Sequence, residues 1–255
     1  MGDLFDLSGK VALITGGNSG IGLGMAEGLA SQGADVAIWG TNEDKNRAAV
    51  EQLERHGTKV LALKCDVGDE AQVEASFAET LEALGKVDSC FANAGIGGGG
   101  HRFIDIPTED WHRVLRVDLD GVFFTLRAAI RDMVERGEGG SVVVTSSVST
   151  VMGAPRNQAY ASAKGGIIAM MKGLAVEYAR DGIRANAILP GWIETPMTEG
   201  AFSWDRFVEK VMPRVPMRRW GAGADFGGIA AYLASDASTY HTGDVLVVDG
   251  GYAIF

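Results

Sequence analysis

The sequence predicts an α/β protein in which a parallel β-sheet carries helices on both faces. Short apolar runs rich in β-branched residues alternate with longer segments of helical periodicity over the whole chain. Alternation of this kind builds βαβ units, whose strands lie side by side in one parallel sheet. No proline-, serine- or charge-rich linker and no repeat of fixed period divides the 255 residues. We therefore expect one domain that covers residues 1–255.

The predicted strands are apolar runs bounded by glycine or polar turn residues, as expected for strands buried on both faces. They cover residues 10–15, 35–39, 59–64, 87–91, 141–145, 184–189 and 245–248. The predicted helices run from the first glycine loop to about residue 32, and then over 43–56, 69–84, 108–136, 158–180 and 223–234. Asp69 is a candidate N-cap of the third helix. Thr108 begins an incomplete capping box, because Trp111 stands where a complete box has Glu or Gln.

Composition and charge exclude several classes of protein. The chain has 46% hydrophobic and 22% charged residues, which is usual for a globular protein with a sizeable core. Its formal net charge is -10 and it has no basic run, which argues against a nucleic-acid-binding surface. No stretch reaches the ~18 apolar residues of a transmembrane helix, and residues 1–4 lack a basic-then-apolar signal pattern. We therefore expect a cytoplasmic protein with neither a membrane nor a nucleic acid as partner.

A glycine-rich loop joins the first predicted strand to the first helix. Its sequence, over residues 16–22, is Gly-Gly-Asn-Ser-Gly-Ile-Gly. Gly16 permits a tight turn, Gly20 allows a pyrophosphate to approach the backbone, and Gly22 lets the helix pack against the strand. Strand, glycine loop and helix in this order predict a nucleotide-phosphate site.

Tyr160, Lys164 and Ser147 form the pattern that predicts the chemistry. Residues four apart lie on one face of a helix, so we expect the Lys164 ammonium near the Tyr160 phenol. A nearby cation favours the phenolate, and such a tyrosine exchanges protons with an alcohol or carbonyl oxygen. Ser147 follows the predicted strand 141–145, where its hydroxyl could hydrogen-bond the same oxygen. Tyr-x-x-x-Lys alone is also found on ordinary helix surfaces, so this prediction depends on the other motifs.

The sequence resembles the classical type of the short-chain dehydrogenase/reductase family along essentially its whole length. The motifs that carry the resemblance are Thr15-Gly16-Gly17-Asn18-Ser19-Gly20-Ile21-Gly22, Asp66-Val67, Asn93-Ala94-Gly95, Ser147 with Tyr160 and Lys164, Pro190-Gly191 with Thr195, and Val248-Asp249-Gly250-Gly251. Each motif is short. Together, in the family's order, they leave little room for coincidence.

The resemblance implies a Rossmann-type, doubly wound, seven-stranded parallel sheet of strand order 3-2-1-4-5-6-7, with ligands at the carboxyl edge where the order reverses. It also implies that two strands, at ~4.8 Å per step, separate Cys65 from Cys90, beyond the ~7 Å Cα limit of a disulfide. Both cysteines are therefore expected to be buried thiols. Classical members usually pair through two long helices, here 108–136 and 158–180, so we expect a homotetramer.

The family's reaction is hydride transfer between the nicotinamide of NAD(P) and a carbon that bears oxygen. The resemblance implies that Tyr160 is the general acid or base, that Lys164 tunes it and holds the nicotinamide ribose, and that Ser147 polarises the carbonyl. The implied cofactor-binding residues are Gly16, Asn18, Ser19, Ile21, Gly22, Thr41, Asp66, Val67, Asn93, Ala94, Gly95, Tyr160, Lys164, Pro190, Ile193 and Thr195. No metal is implied.

Two positions depart from the family pattern. The catalytic asparagine of the family's fourth helix is replaced here by Asp118. At the end of the second strand, members that prefer NAD commonly have an acid and members that prefer NADP a nearby arginine, whereas this chain has Gly40-Thr41-Asn42. Gly40 cannot repel a phosphate, and the next two residues offer hydroxyl, amide and backbone donors. We therefore expect NAD(P) as the cofactor, with a slight lean to NADP.

Residues 191–215 match the family's substrate lid and include Trp192, Phe202, Trp204, Phe207 and Met212. These side chains form either the apolar wall of a substrate pocket or the packing under a short helix.

The predicted function is an NAD(P)-dependent alcohol dehydrogenase or ketone reductase with a small-molecule secondary alcohol or ketone as substrate. Two alternatives stay open: a 3-oxoacyl-carrier-protein reductase, which shares these motifs, and a nucleotide-binding regulatory protein without turnover.

Overall fold

The centre of the protein is a seven-stranded sheet with the strand order β3-β2-β1-β4-β5-β6-β7. The structure is a computed structural model that describes residues 4–255; residues 1–3, part of the segment inspected for a targeting signal, lie outside it. The strands are β1 (Val11–Thr15), β2 (Asp35–Gly40), β3 (Val60–Lys64), β4 (Ser89–Ala92), β5 (Gly140–Thr145), β6 (Ile183–Pro190) and β7 (Val245–Val248). Each neighbouring pair is parallel. The predicted doubly wound fold and its strand order are confirmed.

Helices cover both faces of the sheet. They are α1 (Gly20–Ser31), α2 (Glu43–Leu53), α3 (Glu70–Leu84), α4 (Thr108–Leu115), α5 (Gly121–Arg136), α6 (Gln158–Glu177), α7 (Glu199–Phe202), α8 (Asp205–Val211) and α9 (Gly227–Ala234). On one face, Leu29 of α1 and Leu233 of α9 belong to one buried apolar cluster. On the other face, Phe77, Leu126 and Met171 of α3, α5 and α6 belong to a second. A two-faced core of this kind is why the strands contain continuous apolar runs.

The sheet reverses its order at β1, which pairs with β2 on one side and with β4 on the other. The connections that leave β1 and β4 therefore diverge to opposite faces and open a crevice at the carboxyl edge. The glycine loop after β1 and the segment after β4 both border this crevice. The fold thus brings the predicted phosphate loop and the Asn93 motif to one place.

The helix predicted for residues 108–136 is interrupted in the structure. A π-helical turn, Arg116–Asp120, lies between α4 and α5. Single π turns are uncommon and occur often at functional sites. This one contains Asp118. The start also differs, because Pro107 is the N-cap and Thr108 the first helical residue, whereas Asp69 does cap α3 and accepts bonds from the N–H groups of its first turn.

Both cysteines are buried free thiols. Burial raises the pKa of the Cys90 thiol to about 12 and also raises that of Cys65. In the chain from residue 4 to residue 255, no helix combines the length and the apolar composition that crossing a bilayer requires.

Candidate active site

A groove of ≈ 560 Å³ opens at the carboxyl edge of the sheet, above the point where β1 and β4 separate. Its size lies in the range of small-molecule and cofactor sites. The sequence-predicted residues that line it are Gly16, Asn18, Ser19, Ile21, Thr41, Asp66, Val67, Asn93, Ala94, Gly95, Ser147, Tyr160, Lys164, Pro190, Ile193 and Thr195. Two predicted residues, Gly22 and Asp118, lie behind the wall instead.

The glycine loop holds α1 against the groove. Gly20 has a φ of +54°, and a Cβ there would lie 2.8 Å from Cγ2 of Thr195. A Cβ on Gly22 would lie 2.2 Å from the carbonyl oxygen of Gly16, so Gly22 serves the close packing of helix and loop. Ser19, the N-cap of α1, makes no capping bond with its side chain. Ser19, Gly20 and Ile21 line the groove, so the helix start that no side chain caps borders the space where an anion could bind.

Thr15 begins the glycine-loop motif but was not among the predicted site residues, and it ties the two sides of the crevice together. Its Oγ1 accepts hydrogen bonds from the N–H groups of Asn93 and Ala94, both at 3.0 Å. The Asn93 amide in turn donates to the Thr15 carbonyl at 3.1 Å. The Asn93-Ala94-Gly95 motif thus fixes the floor of the groove as well as lining it. A hydroxyl at the end of a strand that enters a glycine loop was the available signal.

The two serines after β5 are used differently. Ser146 Oγ is buried and donates to the backbone carbonyl of Lys164 at 2.9 Å, which anchors α6 to the sheet. Ser147 lines the groove, and its Oγ accepts a hydrogen bond from the N–H of Ser149 at 3.1 Å. The Ser147 hydroxyl therefore keeps its proton to donate to a ligand in the groove.

Tyr160 and Lys164 lie one helical turn apart in α6, as the sequence predicts. The Lys164 Nζ is 5.5 Å from the centroid of the Tyr160 ring and donates to the Thr145 carbonyl at 3.1 Å. Asp118 faces the same ammonium, with its Oδ2 3.3 Å from Nζ. A Cβ on Gly95 would lie within 3.0 Å of both groups, so this segment of the groove wall covers the ion pair directly.

Asp118 is completely buried. Its Oδ1 accepts a hydrogen bond from the N–H of Ile96 at 2.8 Å. Burial raises the pKa of the Asp118 carboxyl, against the opposing effects of the Lys164 ammonium and the Ile96 N–H. The π turn thus places the Asp118 carboxyl group beside Lys164, behind the wall of the groove.

At the other end of the groove, Asn18 closes the space over Gly40. A Cβ on Gly40 would lie 2.1 Å from Nδ2 of Asn18. That amide donates to Oδ1 of Asn46 at 2.7 Å, and the Asn46 amide donates to the carbonyls of Gly40 and Leu63. Asn46 is a buried polar residue in the first turns of α2 that the sequence pattern did not identify.

The Asp66 side chain organises the loop after β3. Its Oδ1 accepts from the N–H of Gly68 at 2.9 Å, and its Oδ2 accepts from Arg116 at 2.9 Å. Arg113 and Lys45 also line the groove. We identified none of these three cations from the sequence, because each comes from the solvent-exposed side of a helix, where charged residues are ordinary.

The aromatic residues of the lid stretch pack against one another. Trp192 lies edge-on to Phe207 with ring centroids 4.8 Å apart, and Phe202 stacks on Trp220 at 4.4 Å. Trp192 also contacts Tyr252 near the end of the chain. The groove residues from this stretch are Gly191, Ile193, Thr195, Pro196, Met197 and Thr198. Packing under short helices therefore describes Trp192, Phe202 and Phe207, whereas Trp204 is 59% exposed.

Comparisons with known proteins agree with this geometry. A family model described as enoyl-(acyl carrier protein) reductase matches residues 16–253. L-rhamnose 1-dehydrogenase (NAD(P)(+)) from Sphingomonas sp. (strain SKA58) is 37% identical over 246 residues, which are 96% of this chain and 96% of that protein. 5-Keto-D-gluconate 5-reductase from Escherichia coli (strain K12) is 34% identical over 254 residues, 100% of this chain and 99% of that one.

Solved structures extend the similarity to the whole fold. A short-chain type dehydrogenase/reductase from Mycobacterium marinum has a TM-score of 0.93 at 36% identity, covering 98% of both chains. A gluconate 5-dehydrogenase from Burkholderia cenocepacia J2315, in complex with NADP and tartrate, has a TM-score of 0.93 at 36% identity, with 99% and 98% covered. A 3-oxoacyl-[acyl-carrier protein] reductase from Brucella melitensis, in complex with NAD, has a TM-score of 0.91 at 35% identity, with 96% and 98% covered. The chain therefore belongs to the short-chain dehydrogenase/reductase family of NAD(P)-dependent oxidoreductases.

Proposed function

We propose that this chain interconverts a secondary alcohol and a ketone on a small, hydroxylated substrate, with Tyr160 as the general acid/base. The observation that carries the proposal is the meeting of Ser147, Tyr160 and Lys164 on one groove at the carboxyl edge of the sheet. When bound, NAD(P) supplies or accepts the hydride. The chain's own residues then have to orient the substrate and move one proton.

The proton passes through the Tyr160 phenol. In oxidation the phenolate oxygen takes the proton of the substrate hydroxyl while the hydride leaves the same carbon; in reduction the phenol returns a proton to the carbonyl oxygen. The Lys164 ammonium lies 5.5 Å from the Tyr160 ring centroid, which places a positive charge beside the side chain that exchanges the proton. Ser147 donates a hydrogen bond to the reacting oxygen as negative charge develops on it.

The groove also fits a dinucleotide. The open N-terminus of α1 and the glycine loop suit a pyrophosphate, and Asp66, Val67 and Thr41 border the adenosine side. Gly40 leaves no carboxylate at the end of β2 to repel a 2′-phosphate, which supports the lean to NADP. The gluconate 5-dehydrogenase similar to this chain contains NADP, and the 3-oxoacyl reductase contains NAD.

The relatives also support a hydroxylated substrate, one that carries hydroxyl groups beside the reacting carbon. The relatives named for rhamnose and keto-gluconate act on compounds of this kind.

We also propose that the protein is a cytoplasmic homotetramer. Each chain forms one domain over residues 1–255, and the segment 191–215 closes over the substrate. The two free thiols suit a reducing compartment. Exposed apolar side chains on α5 and α6 support pairing through these helices.

A substrate panel tests the function. The purified protein is assayed with NAD and NADP against gluconate, rhamnose, a plain secondary alcohol and a 3-oxoacyl thioester. We expect kcat/KM to be at least about tenfold higher for a hydroxylated substrate than for the plain alcohol, a difference of ~1.4 kcal/mol in barrier. A preference for the thioester would favour the acyl-carrier alternative, and cofactor binding without any turnover would favour a regulatory protein.

A further inference from the structure

Lys45 gives the groove a cation to which the family pattern assigns no role. We propose that the Lys45 ammonium binds the 2′-phosphate of NADP and is the residue that sets this chain's preference for NADP over NAD. The inference rests on the proposed lean to NADP and identifies the group responsible for it.

The location of Lys45 fits this role. It lies in the first turn of α2, directly after β2, and lines the groove together with Gly40, Thr41 and Asn42. In Rossmann folds the end of the second strand is where the adenosine ribose and its 2′ substituent are recognised. The Lys45 backbone is fixed there, because its N–H donates to Oδ1 of the N-cap Asn42 at 2.9 Å.

Lys45 is also the groove cation that is free of a carboxylate. The groove is lined by two lysines and two arginines. Three of these face acids: Arg113 and Asp110 at 3.3 Å, Arg116 and Asp66 at 2.9 Å, and Lys164 and Asp118 at 3.3 Å. In the part of the chain that the structure describes, no acid lies within ion-pair distance of Lys45. Its ammonium is therefore available to a bound anion.

The acids nearest to Lys45 in sequence are engaged elsewhere. Glu43 pairs with Lys64 at 2.8 Å, across the end of β3, and Asp44 pairs with Arg47 one turn along α2. Each negative charge on the first turn of α2 thus has its own cation. A phosphate beside Lys45 would meet little uncompensated negative charge from this helix.

The packing over Gly40 disfavours an acidic residue at this position. An acid at position 40 would favour NAD, but a Cβ there would lie 2.1 Å from Nδ2 of Asn18 and 2.7 Å from Oδ1 of Asn46. These two amides are hydrogen-bonded to each other, so neither moves without loss of that bond. The discriminating contact therefore falls to side chains beyond Gly40, where Thr41 offers a hydroxyl and Lys45 a charge.

Binding of cofactor fragments tests the assignment without any turnover. The probes are 2′,5′-ADP, which carries the 2′-phosphate, and 5′-AMP, which lacks it, titrated calorimetrically into the full-length protein. We expect Lys45→Ala to weaken the affinity for 2′,5′-ADP by about tenfold or more, as for loss of a charge-assisted hydrogen bond. The affinity for 5′-AMP should stay within about twofold of the wild-type value. Arg55→Ala is the matched control, since it removes an exposed cation from the turn that follows α2, outside the groove, and both affinities should stay within about twofold.

Three results would overturn the inference. Equal losses for both probes would show that Lys45 supports the shape of the groove, and an unchanged 2′,5′-ADP affinity would show that another group holds the phosphate. Wild-type protein that binds 2′,5′-ADP no better than 5′-AMP would remove both this inference and the lean to NADP, while the hydride-transfer proposal, tested by the substrate panel, would stand. Absence of turnover with the expected binding pattern would overturn the proposed function and leave Lys45 assigned.

Discussion

The Tyr160 phenol is the group on which turnover depends in the proposed mechanism. Tyr160→Phe should reduce kcat below a tenth of the wild-type value, a cost of more than ~1.4 kcal/mol, because only the proton path is removed. The affinity for NAD(P), measured by titration, should stay within a few-fold, since the ring that lines the groove is retained. Tyr178→Phe, which removes a hydroxyl just beyond the end of α6, is the control and should keep full turnover. Retention of more than a tenth of the rate by the Tyr160 variant would show that another group moves the proton.

Asp118 should adjust the pH profile without being essential. Its Oδ2 is 3.3 Å from Nζ of Lys164, so an ionised carboxylate weakens the effect of the ammonium on Tyr160. Asp118→Asn should therefore move the limb of the alcohol-oxidation profile that rises with pH to lower pH, and change the maximal rate by less than about tenfold, or ~1.4 kcal/mol. Asp120→Asn, an exposed change in the same π turn, should leave the profile unchanged. An unshifted profile for Asp118→Asn would uncouple this residue from the proton path, and a collapsed rate would give the carboxylate a direct role.

The same carboxyl should make stability depend on pH. Burial raises the folded-state pKa of Asp118 above its unfolded value, so the folded protein holds this proton more tightly. The resulting stabilisation is complete below the unfolded pKa of about 4 and is lost as the pH rises through the folded pKa. Relative to Asp118→Asn, the wild-type melting temperature should therefore fall as the pH rises above the unfolded pKa of about 4. Parallel curves for the two proteins would show that the carboxyl stays ionised beside Lys164.

At the residue scale, the sequence revealed the motif residues of the groove but not the additional cations that line it. Ser147, Tyr160 and Lys164 line one groove, and their spacing in the chain pointed to this because it reflects strand and helix geometry. Lys45 and Arg116 were not identified, since an exposed charged residue on a helix has the same pattern whether it faces a ligand or solvent. Only the three-dimensional arrangement separates these cases.

At the scale of elements, α1 meets both α9 and the 3-10 turn Gly223–Phe226 that precedes it through backbone atoms. A Cβ on Gly28 of α1 would lie 2.3 Å from the Cα of Gly227, and one on Gly24 would lie 1.9 Å from the carbonyl oxygen of Gly223. Because backbone cannot move aside as a side-chain end can, any larger residue forces the two helices apart. This contact fixes α1, the helix that follows the glycine loop, against α9.

The contact predicts a large difference between two glycine substitutions. Gly28→Ala should lower the free energy of unfolding by about 1–3 kcal/mol through overpacking. Gly228→Ala, in α9 itself, meets nothing within 4 Å and should be neutral or raise the free energy by up to about 1 kcal/mol, since alanine favours helix. Denaturant titration of both variants measures the difference. Equal stabilities would show that the helices separate freely.

Element boundaries show where sequence patterns stop being informative. The strands were predicted to within about two residues because apolar runs end where burial ends. The π turn at Arg116–Asp120 was not predicted, since the apolar period of a helix hardly changes over one widened turn. That turn carries Asp118, so the missed element belongs to the site.

At the scale of the whole molecule, the sheet order was predicted correctly from family resemblance, whereas alternation alone specified only a parallel sheet with two covered faces. The order of strands in the sheet depends on which connections cross over, and the sequence of a short apolar run does not specify which strands it pairs with. The lid is the converse case. Its aromatic density was visible in the sequence, but whether those rings face a ligand or one another depends on packing that no local pattern specifies.

Assembly is the remaining prediction at this scale. Phe123 and Val134 of α5 are 42% and 41% exposed, and Val176 of α6 is 82% exposed, on the two helices through which pairing is proposed. Apolar side chains left open on adjacent helices suit a symmetric contact with a second copy. Light scattering at micromolar concentration should give four times the 26.9 kDa chain mass. Val176→Glu places a charge in that contact and should lower the mass to that of a dimer or monomer. Ala78→Glu, on the outer face of α3, should leave the mass unchanged. A monomeric wild-type protein, or a tetramer indifferent to Val176→Glu, would show that these helices are not the interface.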